Sequence, residues 1–238
     1  MAKFRNYRDP NQRNYYTMCV FGTLGVGKSA WLSLFAKNYV DTVGRKVLIA
    51  DPSNASSFDQ FEEIKLSQIQ FGILDESTGE RHAWTTGIRV LRNLDWQDDR
   101  WIEIVSKQLR NCCVIMDETR VFMPKDGKIP FWQLEFLNKH RNACIDLMIV
   151  SHNLMSLHKD IRLIIKVYFL FPTGDKPQYN LAKPRVGENW FEMRSFPSEM
   201  YHAWLKAQQV PFDNSKIIQH CEVLEVEFPQ NTIQNTSK

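Results

Sequence analysis

A mostly parallel α/β sheet with helices on both faces is the fold class this 238-residue chain predicts. Three observations carry it. Short apolar runs alternate with helix-compatible stretches between residues 17 and 172. The runs read as strands buried on both faces, which is how parallel sheets are built. The side chains suited to chemistry fall directly after those runs, where open parallel sheets bind ligands.

Taken in order, residues 17–21 form a buried first strand ending in Met18-Cys19-Val20-Phe21. Gly22-Thr23-Leu24-Gly25-Val26-Gly27-Lys28-Ser29 follows and satisfies the G-x-x-x-x-G-K-[ST] phosphate-binding (Walker A) pattern in full. A helix over residues 28–39 comes next. The glycines let backbone N–H groups point inward around phosphate oxygens at a helix N-terminus. Lys28 is placed to reach β- and γ-phosphates, and the Ser29 hydroxyl to hold Mg²⁺. The nucleotide-binding set is therefore Gly22, Thr23, Leu24, Gly25, Val26, Gly27, Lys28, Ser29 and Ala30. A glycine-rich turn that matches by chance is the plain alternative; the flanking strand and helix weigh against it. The chain is expected to bind a nucleoside triphosphate.

Gly44 ends the first helical region, and residues 46–51 read as a second strand closed by Pro52. Residues 53–94 parse poorly, with strand-like pieces at 69–73 and 87–91. Residues 96–109 are helical in pattern, since Trp101, Ile104, Val105 and Leu109 share one face. A third buried strand spans 112–116, a helix 131–141, a fourth strand 145–150 and a fifth 165–171, stopped by Pro172. Five prolines from Pro172 to Pro211 then break the chain, with one helix expected over 198–208. The organisation is a basic arm (1–16), a phosphate-loop core (17–172) and a C-terminal extension (173–238).

The third strand ends in Asp117-Glu118. In a phosphate-loop enzyme Asp117 would hold Mg²⁺ opposite Ser29 (Walker B), and Glu118 would polarise the attacking water as general base. An acidic turn after a strand is the bland reading, and it weakens once a complete phosphate loop lies upstream. A second acid at this place argues for ATP hydrolysis, because a phosphotransferase need not activate water.

Composition narrows the class. Hydrophobic residues make up 43% and charged residues 24%, an ordinary globular balance. No apolar run is long enough to span a bilayer, and residues 1–10 lack the apolar centre of a signal peptide, so a cytoplasmic protein is expected. Five cysteines fit neither a disulfide framework nor a zinc pattern. The net charge of +3 does not announce a nucleic-acid binder. Lys3, Arg5, Arg8 and Arg13 against Asp9 concentrate that charge in the first sixteen residues, interleaved with Tyr7, Tyr15 and Tyr16. Such an arm could track a phosphate backbone, or it could simply dock its tyrosines on the body; the second needs fewer assumptions.

Asp117-Glu118-Thr119-Arg120-Val121-Phe122-Met123-Pro124 and the run from His140 to Asn153 resemble segments of the FtsK–HerA superfamily of DNA-pumping ATPases. The closest echoes are the small genome-packaging ATPases of viruses and the zonula occludens toxin-like branch, which Leu157-His158-Lys159-Asp160-Ile161-Arg162 also resembles. The resemblance implies a RecA-like fold, ATP and Mg²⁺ as cofactors, a homo-oligomeric, hexameric ring, and DNA, single- or double-stranded, as cargo. It also implies that Arg141 could act in trans as an arginine finger, with Lys139 and Arg120 as rivals. Where the family usually carries a polar γ-phosphate sensor, often Gln, this chain has His152. Thr119 replaces a small apolar residue. The absence of a transmembrane helix sets the chain apart from the toxin-like proteins.

A DNA-translocating, genome-packaging ATPase is the leading expectation, with a capsid or membrane-protein docking partner. The alternatives are a membrane-associated virion-assembly or secretion ATPase and, from another class, a small-molecule kinase or a non-enzymatic nucleotide switch. A GTPase is disfavoured, since Asn138-Lys139-His140-Arg141 puts arginine where a guanine-reading carboxylate should be.

Overall fold

The computed structural model describes residues 15–22, 24–122, 128–152, 157–165, 167–171 and 222–225. The strands are β1 (Thr17–Phe21), β2 (Lys46–Ala50), β3 (Glu62–Glu63), β4 (Ile73–Leu74), β5 (Arg81–His82), β6 (Ile88–Leu91), β7 (Cys112–Met116), β8 (Ile145–Ser151), β9 (Val167–Leu170) and β10 (Glu222–Glu225). The helices are α1 (Lys28–Val43), α2 (Leu66–Phe71), α3 (Arg100–Gln108), α4 (Phe131–Lys139) and α5 (Lys159–Ile164). Eight strands make one sheet in the order β10-β9-β1-β8-β7-β2-β6-β3, and β4 pairs with β5 in a separate ribbon. All pairings in the large sheet are parallel except that of β10 with β9. The α/β class read from the chain is the class observed.

Alternation along each strand divides the core into two layers. Cys19, Phe21, Leu48, Ala50, Cys112, Val114, Met116, Leu147 and Ile149 face α3, α4 and α5 on one side. Met18, Val20, Val47, Ile49, Cys113, Ile115, Met148 and Val150 face α1 on the other. Both faces are covered, which is why the runs are apolar throughout. Cys19, Cys112 and Cys113 serve as small buried hydrophobes, and burial pushes the first two thiols up to about 12. The four described cysteines are free. No helix of the described residues is long and apolar enough to cross a membrane.

Several boundaries differ from expectation for local reasons. The first helix runs on to Val43 and stops where Gly44, at φ 72°, donates its N–H to the Val40 carbonyl at 2.9 Å. Residues 69–73 are not a strand: α2 occupies most of them. The Gln68 side chain accepts the Lys65 N–H at 2.7 Å to start that helix, and Gly72 at φ 88° ends it. Six residues are too few for helical periodicity to show. The piece at 87–91 does become β6, and with β3 it extends the sheet beyond β2. The third helix begins at Arg100 rather than at Trp96, which instead packs edge-on against Trp101 and Phe122. The fourth helix closes at Lys139, so Arg141 stands in the turn that follows.

Tyr15 is buried and Arg45 lies over its ring at 5.2 Å. The Tyr16 N–H donates to Asp146 Oδ1 at 2.8 Å, and the Tyr39 hydroxyl donates to Asp146 Oδ2 at 2.5 Å. The last residues before β1 are thus tied into the body. The remainder of the basic arm (1–14), the helix expected over 198–208 and most of the extension from 173 lie outside the described residues.

Candidate nucleotide site

The C-terminal ends of five adjacent parallel strands place the polar side chains in a row. Gly22 follows β1, His152 follows β8, Asp117 and Glu118 follow β7, Asp51 follows β2, and Arg92 follows β6. Strand order, not chain order, sets this sequence.

Three features shape the loop after β1. Gly25 and Gly27 adopt φ of 78° and 88°, a left-handed geometry that side-chain-bearing residues enter at a cost. Gly22 is required for a different reason: a Cβ there would lie 2.5 Å from the Phe171 Cβ, beside the point where the Phe171 N–H donates to the Phe21 carbonyl at 2.8 Å. We expect Gly22→Ala to overpack this contact and destabilise the protein by about 1–3 kcal/mol, read as a lower urea midpoint. Equal midpoints would show that β9 moves aside freely. The third feature is that α1 carries no acidic residue in its first turn, so its positive end stays available to an anion. Of the nucleotide-binding set, Gly22 and Leu24 to Ala30 line this turn; Thr23 lies outside the described residues.

Lys28 is buried, and its Nζ donates to the Gly22 carbonyl at 2.9 Å and to His152 Nδ1 at 2.7 Å. Burial lowers its ammonium to about 8, opposed by Asp117 and Glu118, so it remains charged at neutral pH. The Ser29 hydroxyl donates to Asp117 Oδ2 at 3.2 Å. Burial, with the Asp51 carboxylate nearby, raises Asp117 to about 6, against the Ser29 hydrogen bond and the Lys28 charge. A hydroxyl beside a buried carboxylate is a hard-oxygen pair suited to Mg²⁺, which takes few protein ligands and completes its shell with phosphates and water. That donor pair, Ser29 and Asp117 with Glu118 next in the chain, fits the ion.

Glu118 takes φ 55° and ψ 56°, a left-handed conformation that costs a non-glycine residue on the order of 1 kcal/mol. Its neighbours hold the turn. The Glu118 N–H donates to Asp117 Oδ1 at 3.1 Å, and the buried Thr119 hydroxyl donates to the Met116 carbonyl at 3.1 Å. Threonine at 119 thus closes the turn in a way an apolar residue could not. The Glu118 carboxylate stands 3.7 Å from His152 Nε2 and 3.8 Å from Arg120 Nε. Burial and Lys28 lower the imidazole of His152, and Glu118 opposes them.

Asp51 and Arg92 were not singled out from the sequence. Asp51 is fully buried, and it accepts from the Ala55 N–H and the Ser53 hydroxyl. Arg92 Nε donates to Asp51 Oδ2 at 2.8 Å. Its other nitrogens reach the Ala55 carbonyl at 2.8 Å, Asp59 at 2.9 Å and Glu63 at 3.3 Å. This knot anchors the loop after β2 behind Asp117. An aspartate closing a buried strand was the available signal; its arginine lies 41 residues away in the chain.

The three candidate basic residues separate. Arg120 flanks Glu118 at the site edge. Lys139, paired with Glu135, and the exposed Arg141 sit at the opposite edge, near the start of β8. There His140 meets Thr17 at the beginning of β1. A five-residue strand is about 16 Å long, so Arg141 is a full sheet depth from its own chain's loop.

No protein-family model matches the chain, and no curated protein sequence does. Solved structures do match. The genome packaging NTPase B204 from Sulfolobus turreted icosahedral virus 2, in complex with AMP, superposes with a TM-score of 0.59 at 14% identity, over 93% of this chain and 98% of that one. The DNA-packaging ATPase B204 from Sulfolobus turreted icosahedral virus gives 0.54 at 14% identity, over 90% and 98%. The N-terminal domain of zonular occludens toxin from Neisseria meningitidis aligns at 19% identity over 67% and 78%, with a TM-score of only 0.42. The chain shares the fold of these packaging ATPases. The described residues among those that carry the sequence resemblance therefore sit on the fold the resemblance implied.

Proposed function

We propose that this protein is a Mg²⁺-dependent ATPase that works as a homo-oligomeric motor moving DNA, of the viral genome-packaging kind. The observation that carries the reading is the meeting of Lys28, Ser29, Asp117 and Glu118 at one sheet edge, on a fold shared with a packaging ATPase. The backbone of Gly22 to Ala30 and the N-terminus of α1 receive the phosphates. Lys28 contacts the β- and γ-phosphates, and Ser29 and Asp117 hold Mg²⁺. When bound, the ion would supply positive charge against the phosphate oxygens. Glu118 orients a water and accepts its proton; Asp117, tied to Ser29, is engaged elsewhere.

Arg141 acts in trans, completing a neighbour's site across a ring interface, and its distance from its own loop supports that role. Lys139 shares its edge; Arg120 is the candidate that acts within one chain. A ring, hexameric by resemblance, follows from the need for a trans cation. Docking on a capsid or membrane protein belongs to the same reading.

Steady-state ATP hydrolysis, measured without nucleic acid, with single-stranded DNA and with duplex DNA, tests the proposal. Stimulation by one of the two DNAs is expected and identifies the cargo. Hydrolysis indifferent to both would point to a protein-assembly ATPase or a kinase. Full-rate hydrolysis by a monomer would remove the trans arginine.

A further inference from the structure

The phosphate loop and the turn into β8 carry surface features of matching shape and charge. Leu24, in the loop between β1 and α1, is 72% exposed, whereas Val26 beside it is buried. At the other end of the sheet lies a cavity of about 160 Å³, where the ends of α3 and α4 meet the turn into β8. Phe136 and Ile145 line it and are buried, and Ala143 is half-buried, so its depth is apolar. Ser106 also lines it, and Arg110 and Lys139 stand exposed at its mouth.

One exposed leucine is ordinary on a protein surface. Its relation to the cavity is what gives this one a role. Lys139 and Ala143, both in the cavity lining, flank Arg141 along the same turn. An arginine side chain is short. Wherever Arg141 reaches a neighbouring copy's phosphates, the cavity beside it therefore lies against that copy's phosphate loop, and Leu24 is the apolar side chain that loop holds out. Size agrees: a cavity of this order admits a benzene-sized group, and the four-carbon leucine side chain is smaller.

Charge agrees as well. Arg110, Lys139 and Arg141 surround the mouth, with Glu135 paired to Lys139. Arg110 is fixed there by donating to the Ser106 carbonyl at 2.9 Å and the Leu109 carbonyl at 2.6 Å. Asp117 and Glu118 stand beside the loop, with Arg120 near Glu118. Within one chain the two features are separated by the length of β1, about 16 Å, so they do not meet.

We propose that the cavity beside Arg141 is a socket for Leu24 of a second copy of this chain. The inference rests on the trans-arginine reading above and adds the contact that aims the arginine. Seating Leu24 fixes one copy's phosphate loop against the turn that carries its neighbour's Arg141. The contact joins two different faces, so repeating it builds a closed ring or an open filament rather than a two-fold dimer.

Disulfide trapping tests the pairing. Leu24→Cys and Ser106→Cys are made in separate chains on a Cys144→Ser background, because Cys144 is free and follows Ala143 of the cavity. Mixed under mild oxidation, the two should give a cross-linked dimer that neither gives alone. A chain with both cysteines should give a ladder of larger products, since every copy then carries both halves of the contact. No cross-link in an assembly that sedimentation shows to be intact overturns the socket and leaves the ring standing. A cross-link formed by Leu24→Cys alone also overturns it, because the loop would then face something else. A wild type that sediments as a monomer with an ATP analogue and DNA present removes the ring reading, and the socket with it.

Subunit affinity gives a second measure. Ser106→Trp fills the cavity and Leu24→Ser removes the apolar group. Each should weaken association about ten- to a hundredfold, which is what burying one leucine contributes. Combined in one chain, the two should cost little more than either alone, since each abolishes the same contact. Retained binding of a fluorescent nucleotide shows that Ser106→Trp is folded, because position 106 lies at the end of the sheet away from the loop. Folded variants that associate like the wild type would overturn the proposal and leave the cavity to another occupant.

Discussion

Glu118→Gln should retain ATP binding and lose hydrolysis by a factor of about 10²–10⁴, the range that removal of a general base spans. The substitution keeps the size of the side chain and leaves the left-handed backbone at 118 to the same surroundings. It also leaves untouched the Ser29–Asp117 pair and the Lys28 contacts that would hold phosphate and metal. What disappears is a carboxylate able to accept a proton from water. The effect should therefore fall on kcat, with nucleotide affinity near the wild-type value. A fluorescent-nucleotide titration beside a phosphate-release assay checks both halves. If hydrolysis survives in the variant, Glu118 is not the base. If binding is lost as well, the change has damaged the turn around Asp117.

The second large effect concerns a residue that touches no nucleotide. Arg92→Met should destabilise the protein by about 3–5 kcal/mol, because it strands the fully buried Asp51 carboxylate next to Asp117. The loop contacts to the Ala55 carbonyl and Asp59 go with it. Pairing Arg92→Met with Asp51→Asn should recover most of the loss, since removing both ends of a buried ion pair costs far less than removing one. Urea unfolding of the two single variants and the double variant measures the coupling. Additive losses would mean that the two side chains are stabilised separately and that the knot is not a unit.

Much of this site could be read along the chain. The phosphate loop is contiguous, and the strand, turn and helix around it are local in origin. The adjacent acids at 117 and 118 close an apolar run, so their exit from the sheet edge follows from the strand alone. What escaped was non-local or short. The helix at 66–71 is less than two turns long, too brief for a 3.6-residue period to declare itself. Asp51 looked like the end of a strand because the arginine that satisfies it arrives from β6. Thr119 looked like an irregularity until its hydroxyl was seen to close the turn on Met116.

By itself the sequence determined the α/β class, the anion-binding loop with Lys28 and Ser29, and the acid pair, because each depends on residues within one turn or strand of one another. Tertiary structure decided which strands are neighbours. By inserting β8 between β1 and β7 it put His152 between Lys28 and Glu118, and by setting β6 beside β2 it gave Asp51 its cation. It also sent Arg141 to the far edge. The physical reason is that crossover connections and burial of both sheet faces choose the order of parallel strands, and spacing along the chain carries no record of that choice.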